Sequence, residues 1–383
     1  MSSFFDPTPE QRRALEQIAD GMAGVQQTFV TQHAQLAMPD RGAHQQQLAG
    51  SRVFLTVNDR LPVALDGLGV FERTHRSGPQ VGIGRISTGL GCPHAETDPD
   101  FLGLMVAFRS SGRRIDFITI NDPGSPTDTP EEFLALLKAT ADAAGAAGLL
   151  ASQTRLLASL TRHARLRAPA IAAQVIRQTH RTVRSSSAYQ QYWTGVVRAR
   201  DVLGKFTFVP ASQTPMGLDP RRGPTHLTED WRARQSAGPL EFELRWIPFL
   251  DERTTPLDDL TRGWAHDHEV AVGTVVFPQT DPDTMQAKLT ALLASELGAN
   301  PGNWEETPET PASALPATRF TAARQLAYRA SQQARHALPE ESYASFFERG
   351  EIGAELANEL IRRYHEKRSV GHWVPDVGTL SGV

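Results

Sequence analysis

The sequence predicts an α+β fold built around an antiparallel sheet, and three observations carry that prediction. Short β-rich runs broken by Gly, Pro and Asp begin at Ser51 and recur as far as Phe277. Blocks of helical texture stand before, between and after these runs, without the regular β-α alternation of a doubly wound parallel sheet. With 40% apolar and 21% charged residues over 383 positions, the chain can bury a sizeable core and lacks the bias of a disordered or collagen-like protein.

In order, residues 8–38 read as a helix, entered through Thr8-Pro9-Glu10 with an acidic, proline-started first turn and ended before Met38-Pro39-Asp40. Residues 1–40 therefore form an N-terminal helical arm. Strands are expected at Arg52–Val57, Val81–Ser87, Leu104–Arg109 and Ile115–Ile120. Helical texture returns over 130–182, opened by Thr129-Pro130-Glu131-Glu132 and continued by an Ala/Leu/Arg-rich span. Further strands follow at Lys205–Pro210, Leu240–Phe249 and Val270–Phe277. Glu305–Pro316 is rich in Pro, Glu and Thr and reads as a surface-wrapping segment. Helices over Ala322–Leu338 and Glu351–Lys367 close the chain, which divides into the arm, a core over 41–340 and a C-terminal helical extension over 341–383.

Charge and cysteine usage exclude several function classes. A net charge of −4 with dispersed arginines gives no field to draw in nucleic acid. Cys92 is the sole cysteine, so an intramolecular disulfide, a thiolate-clustered zinc site and an iron–sulfur cluster are all ruled out. The opening Met-Ser-Ser-Phe-Phe-Asp-Pro lacks a secretory signal, and no apolar run reaches membrane-spanning length. A cytoplasmic protein without a membrane span is expected.

The Ala322–Leu338 helix carries the first chemical signal. Arg324, Tyr328 and Arg335 are spaced four and seven residues apart, which puts them on one stripe. On an isolated helix such a stripe is often just a solvated face. Chemically, Arg324 can hydrogen-bond the Tyr328 oxygen and favour its anionic form, because a nearby positive charge lowers an acid's pKa. Ionising a tyrosine at neutral pH costs roughly 4 kcal/mol. A cation that shares the cost turns the side chain into a hard oxygen ligand for ferric iron, and tyrosine is one of the few axial ligands of haem.

Arg324-x-x-x-Tyr328 followed by Arg335 resembles the proximal helix of the haem catalases and their smaller relatives. Other segments resemble that family in the same order: Arg41-Gly42-Ala43-His44, then Arg85-Ile86-Ser87-Thr88, then Asp98-Pro99-Asp100 through Phe108, then Asn121-Asp122-Pro123. The similarity extends through Tyr192-Trp193, Gly204–Pro210, Pro256-Leu257-Asp258-Asp259 and Trp264, and covers roughly residues 38–340. Trp193 and Trp264 read as core-packing residues.

The resemblance implies an antiparallel eight-stranded β-barrel with inserted and C-terminal helices, holding haem b (iron protoporphyrin IX). It implies Tyr328 as the iron ligand with Arg324 beside it, and Arg41, Arg85 and Arg335 as partners of the two haem propionates, suited to planar guanidinium forks. His44 becomes the distal acid and base, Ser87 orients its ring, and Asn121 steers the peroxide. The implied reaction is heterolytic O–O cleavage of hydrogen peroxide or an organic hydroperoxide by a peroxidase or hydroperoxide-transforming oxidoreductase. Hydrogen peroxide dismutation and non-catalytic haem binding or sensing are the alternatives. A homodimer or homotetramer is implied by analogy.

The sequence departs from the family in ways that bear on substrate. The phenylalanines that follow the Asn loop in typical catalases are missing from Asn121-Asp122-Pro123-Gly124-Ser125-Pro126-Thr127-Asp128, and Ala43 replaces a larger valine. A less aromatic substrate side is expected, which favours a hydroperoxide-transforming role over rapid dismutation. Gly82-Ile83-Gly84 lacks the strand-turn-helix context of a nucleotide loop, and His266-Asp267-His268 reads as a solvent loop.

Overall fold

The computed structural model describes residues 5–32, 40–89, 91, 94–143, 149–182, 186–212, 223–257, 259–304, 316–369, 374–378 and 380. Nine strands are present among them: β1 (Gln47–Val57), β2 (Gln80–Thr88), β3 (Leu102–Ser110), β4 (Arg113–Ile120), β5 (Tyr192–Thr194), β6 (Val197–Ala199), β7 (Val202–Pro210), β8 (Leu240–Pro248) and β9 (Val270–Phe277). Their order is β5-β4-β3-β2-β1-β9-β8-β7-β6, every pairing is antiparallel, and β5 also pairs with β7. That last pairing closes eight strands into a barrel and leaves β6 hanging on β7. Closure removes the unpaired edges that an open sheet would expose.

Strand residues alternate between two faces, as the period of two requires. Phe117, Tyr192, Phe206, Phe208, Phe242, Trp246 and Phe277 point inward and, with Trp304, fill the barrel. Phe206 lies 4.8 Å from Trp246 and 4.9 Å from Trp304 between ring centroids. The outward set on β2 and β3 includes Ile83, Met105 and Ala107. The same parity puts Arg85, Ser87 and Gly103 outside the barrel, where helices cover them.

The predicted 130–182 block is three helices: α2 (Pro130–Ala143), α3 (Leu149–Ala164) and α4 (Ala168–Thr182). α2 starts where its sequence suggested and is capped by side chains: Glu132 N–H donates to Thr129 Oγ1 (3.2 Å) and Asp128 N–H to Glu132 Oε2 (3.0 Å). The N-terminal helix α1 spans Pro9–Gln32, one residue inside its predicted start, and residues 33–38 of the predicted range lie outside the described residues. Leu15, Ile18, Ala19 and Met22 recur at helical spacing along α1. They pack against Ala322, Ala323 and Ala327 of α7 (Arg319–Ala334). Three helices escaped the sequence reading, α5 (His226–Ala237), α6 (Met285–Glu296) and α8 (Ala344–Arg349).

The C-terminal α8 (Ala344–Arg349) and α9 (Ala354–Ser369) cover the outside of β2 and pack on α6, with Phe346, Leu356 and Leu360 meeting Ile83, Leu289 and Leu293. An ionic lock ties α9 to the end of α6, because buried Glu296 accepts from Lys367 and from Arg363 (3.3 Å). Burial works to raise the pKa of Glu296, but Lys367 and Arg335 outweigh it and hold the carboxyl below its ordinary value. Its contribution is therefore present at neutral pH and lost as pH falls through the depressed value. Glu296→Gln is expected to cost about 3 kcal/mol in a urea melt at pH 7, because it leaves Lys367 without its counter-charge and Arg363 with Glu359 alone.

Candidate active site

A cavity of about 790 Å³ lies on the outer face of the barrel. Its floor is built from β2, β3, β4, β5 and β7, and its roof from α1, α2, α4 and α7. Seven of the eight site residues predicted from sequence line it: Arg41, His44, Arg85, Ser87, Arg324, Tyr328 and Arg335.

His44 stands just before β1 in the left-handed backbone region, with φ 57°. Its N–H donates to Gly89 O (2.9 Å), and its Nδ1 lies 3.2 Å from Ser87 Oγ. Gly103, the register partner of Ser87, passes directly behind the ring: a Cβ there would fall 2.7 Å from Nδ1 and Cε1. Burial pushes the His44 pKa down to about 4. Asp100 opposes the shift, and Arg85 and Arg324 reinforce it. At neutral pH the imidazole is thus uncharged and able to accept a proton. Gly103→Ala is expected to displace the ring from Ser87, costing about 1–3 kcal/mol of stability in a thermal melt as an overpacked site.

The arginines gather at one end of the cavity. Arg85 donates to His44 O (2.6 Å), Gln45 O (3.1 Å) and Gln47 Oε1 (3.1 Å). Arg41 and Arg335 share the carbonyls at the C-terminal end of α6: Arg41 donates to Ser295 O (2.6 Å) and Arg335 to Leu297 O (2.8 Å). A helix C-terminus offers unpaired carbonyls and partial negative charge, so it is a natural resting place for guanidiniums. Asp40 lies 3.9 Å from Arg41, but neither Arg85 nor Arg335 has a carboxylate within 4 Å among the described residues. Burial and the neighbouring Arg41 lower both pKa values, that of Arg335 to about 9. This end of the cavity holds buried positive charge that an anion would neutralise.

Arg324 and Tyr328 keep their helical spacing on α7, whereas Arg335 is the C-cap and not, as expected, an interior residue. Thr318 caps the other end, its Oγ1 accepting from Thr321 N–H (3.1 Å). The Arg324 guanidinium carbon lies 5.8 Å from the centre of the Tyr328 ring. Gly195 leaves it room, since a Cβ there would fall 2.5 Å from Arg324 Nη1. The cation thus meets the ring, and no hydrogen bond joins Arg324 to the phenolic oxygen among the described residues, which corrects the geometry expected from sequence.

Asn121 is the residue the structure leaves out. Its Oδ1 accepts from Leu102 N–H (2.8 Å), its Nδ2 donates to Gln190 Oε1, and its own N–H donates to Leu102 O (3.0 Å). These bonds terminate the β3–β4 ladder, and the lining passes from Ile120 to Asp122 without it. Trp264 is packed as expected, buried with its Nε1–H on Pro256 O (2.9 Å), but Trp193 faces the cavity. The sequence reading also missed Lys205, which lines the same cavity from β7. A lysine inside the otherwise apolar Val202–Pro210 strand was the available signal. Cys92 and Asp258 lie outside the described residues.

No protein-family profile matches the sequence, and no curated protein matches it. Solved structures do. A fungal catalase superposes with a TM-score of 0.61 at 16% identity, covering 80% of this chain and 61% of its own. The chain has the catalase fold. A bacterial catalase gives 0.58 at 16% identity over 80% of this chain, and catalase A from Saccharomyces cerevisiae gives 0.58 at 14% over 82%. The chain spans about three-fifths of the length of these catalases, 60% to 64%. The eight-stranded barrel and its helices are therefore those of a catalase fold, as the ordered motifs implied. Among the described residues no helix is long and apolar enough to cross a membrane.

Proposed function

We propose that this chain is a haem-dependent oxidoreductase that activates a peroxide by heterolytic O–O cleavage, with an organic hydroperoxide as the favoured substrate. One observation carries the reading: two buried guanidiniums and a third that is half-buried, a tyrosine and a neutral histidine bonded to a serine surround a single cavity. The donor set fits haem b. Arg41, Arg85 and Arg335 would grip its two carboxylates, and the charge excess at that end of the cavity supports a dianionic group there. Tyr328, whose ring stands 5.8 Å from the Arg324 guanidinium carbon, would supply the oxygen that holds the iron. When bound, haem supplies the electrons that break an O–O bond.

The protein's own task is the proton. Ser87 accepting from Nδ1–H holds the tautomer in which Nε2 is the base. His44 takes the proton of the near peroxide oxygen and hands it to the far one, which leaves as water or as an alcohol. Asn121 is not part of this set.

The shape of the cavity favours a bulky substrate. Leu136, Leu156 and Val175 of the inserted helices extend it, and the loop from Asp122 to Pro126 brings no aromatic ring to it. The test compares oxygen evolution from hydrogen peroxide with consumption of cumene hydroperoxide by the purified protein. Consumption of the organic hydroperoxide with little oxygen evolution is expected. Steady oxygen evolution as the dominant reaction would overturn the substrate preference.

A further inference from the structure

Lys205 is a buried cation that lines the cavity from β7, away from Arg41, Arg85 and Arg335. It projects outward from β7, where Phe206 and Phe208 project inward, and is 5% exposed. An ammonium has three donors, and here one long bond is made, Nζ to Pro123 O at 3.4 Å. The Trp264 ring stands 4.8 Å away, and no carboxylate lies within 4 Å among the described residues. Burial lowers the lysine pKa to about 8 and Asp122 opposes the shift. Asp122 itself is held by Gly124 N–H (2.9 Å) and Gln178 Nε2 (2.8 Å). A buried charge so sparsely partnered is costly unless a ligand completes it. On the neighbouring strand, Trp193 Nε1–H is buried with no hydrogen-bond partner among the described residues.

The barrel register places this group relative to the chemistry. Gly103, which backs His44, is on β3, and Lys205 is three strands away through β4 and β5. Ile120 pairs with Trp193, and Trp193 with Thr207, two residues from Lys205 on the same face. Three strand spacings amount to roughly 14 Å. The wall continues into apolar side chains, Leu136, Leu156 and Val175, and the helix that carries Val175 is fastened to the neighbouring loop by Gln174 Nε2 on Thr261 O (3.2 Å).

We propose that Lys205 is the subsite for the carboxylate of an elongated organic substrate whose hydrocarbon body lies along the apolar wall towards His44. This deepens the hydroperoxide reading and rests on it for the reaction at the far end. The three arginines are too distant along the wall to serve the same carboxylate and are engaged, in that reading, by the cofactor.

The test is a calorimetric titration of the purified holoprotein with decanoate and with decanol, neither of which is a peroxide. Decanoate is expected to bind at least tenfold tighter than decanol. Lys205→Met and Lys205→Gln are expected to abolish that preference, and Lys205→Arg to keep it. Equal binding of the two probes to the wild-type protein, no binding of decanoate, or a preference surviving in Lys205→Met or Lys205→Gln would overturn the proposal. Should neither variant fold, amine labelling of the wild-type protein read by peptide mass spectrometry decides: decanoate must protect Lys205, and unchanged labelling overturns the assignment. Peroxide turnover does not enter, so a protein that prefers decanoate through Lys205 but leaves peroxides untouched contradicts the proposed reaction alone. One that turns over hydroperoxides without the preference contradicts this subsite alone.

Discussion

Tyr328→Phe is expected to lose bound haem on purification while folding normally. The phenol lines the cavity, and its ring is held by the Arg324 guanidinium at 5.8 Å, a contact that phenylalanine also makes. Tyr328 Oη has no hydrogen bond among the described residues, so removing it should change the stability of the haem-free protein by no more than about 0.5 kcal/mol. The loss falls on the metal. Removing a charged oxygen ligand in a closed site costs on the order of 3 kcal/mol, roughly a hundredfold in affinity. Haem titration of the apoprotein followed by visible absorption measures it, and equal affinity in both proteins would remove Tyr328 from the iron.

His44→Gln should separate proton transfer from cofactor binding. The variant retains the arginines and Tyr328, so it should bind haem normally, while hydroperoxide turnover falls by about 10²–10⁴-fold, the usual contribution of a positioned acid–base group. The pH dependence has a definite sign. The folded pKa of about 4 lies below the ordinary histidine value of 6.5, so between these values the unfolded chain binds a proton that the native one refuses. Stability contributed by neutral His44 is complete above pH 6.5 and is lost as pH falls towards 4, a change of about 3 kcal/mol. Chemical denaturation at pH 7 and pH 4.5 should show this loss in the wild type and a smaller one in His44→Gln. Equal losses would mean that His44 is not the group being protonated.

The parts of the fold that announced themselves are those with a period to read. Strands of eight to eleven residues such as β1, β4 and β9 are long enough to show β-rich texture, and their cores were found to within a few residues. The strands β5 and β6 have three residues each, too few to display alternation, yet β5 closes the barrel. Around the site, Arg324 and Tyr328 were legible because a helix fixes their spacing. His44 and Ser87 were legible only through the order of motifs, since 43 residues separate two side chains that the β1–β2 pairing brings together. Asn121 does not line the cavity, and a strand-ending asparagine looks the same in sequence whether it caps a ladder or faces a ligand. Lys205 went unremarked because its burial depends on Trp264 and Pro123, neither adjacent to it in the chain.

The central claim is that this catalase-fold cavity holds haem and uses it on peroxides, and the visible spectrum of the protein purified from haem-replete cells tests it most directly. The account predicts an intense haem absorption band that shifts on addition of an organic hydroperoxide. A colourless protein, or a haem spectrum indifferent to peroxide, would contradict it.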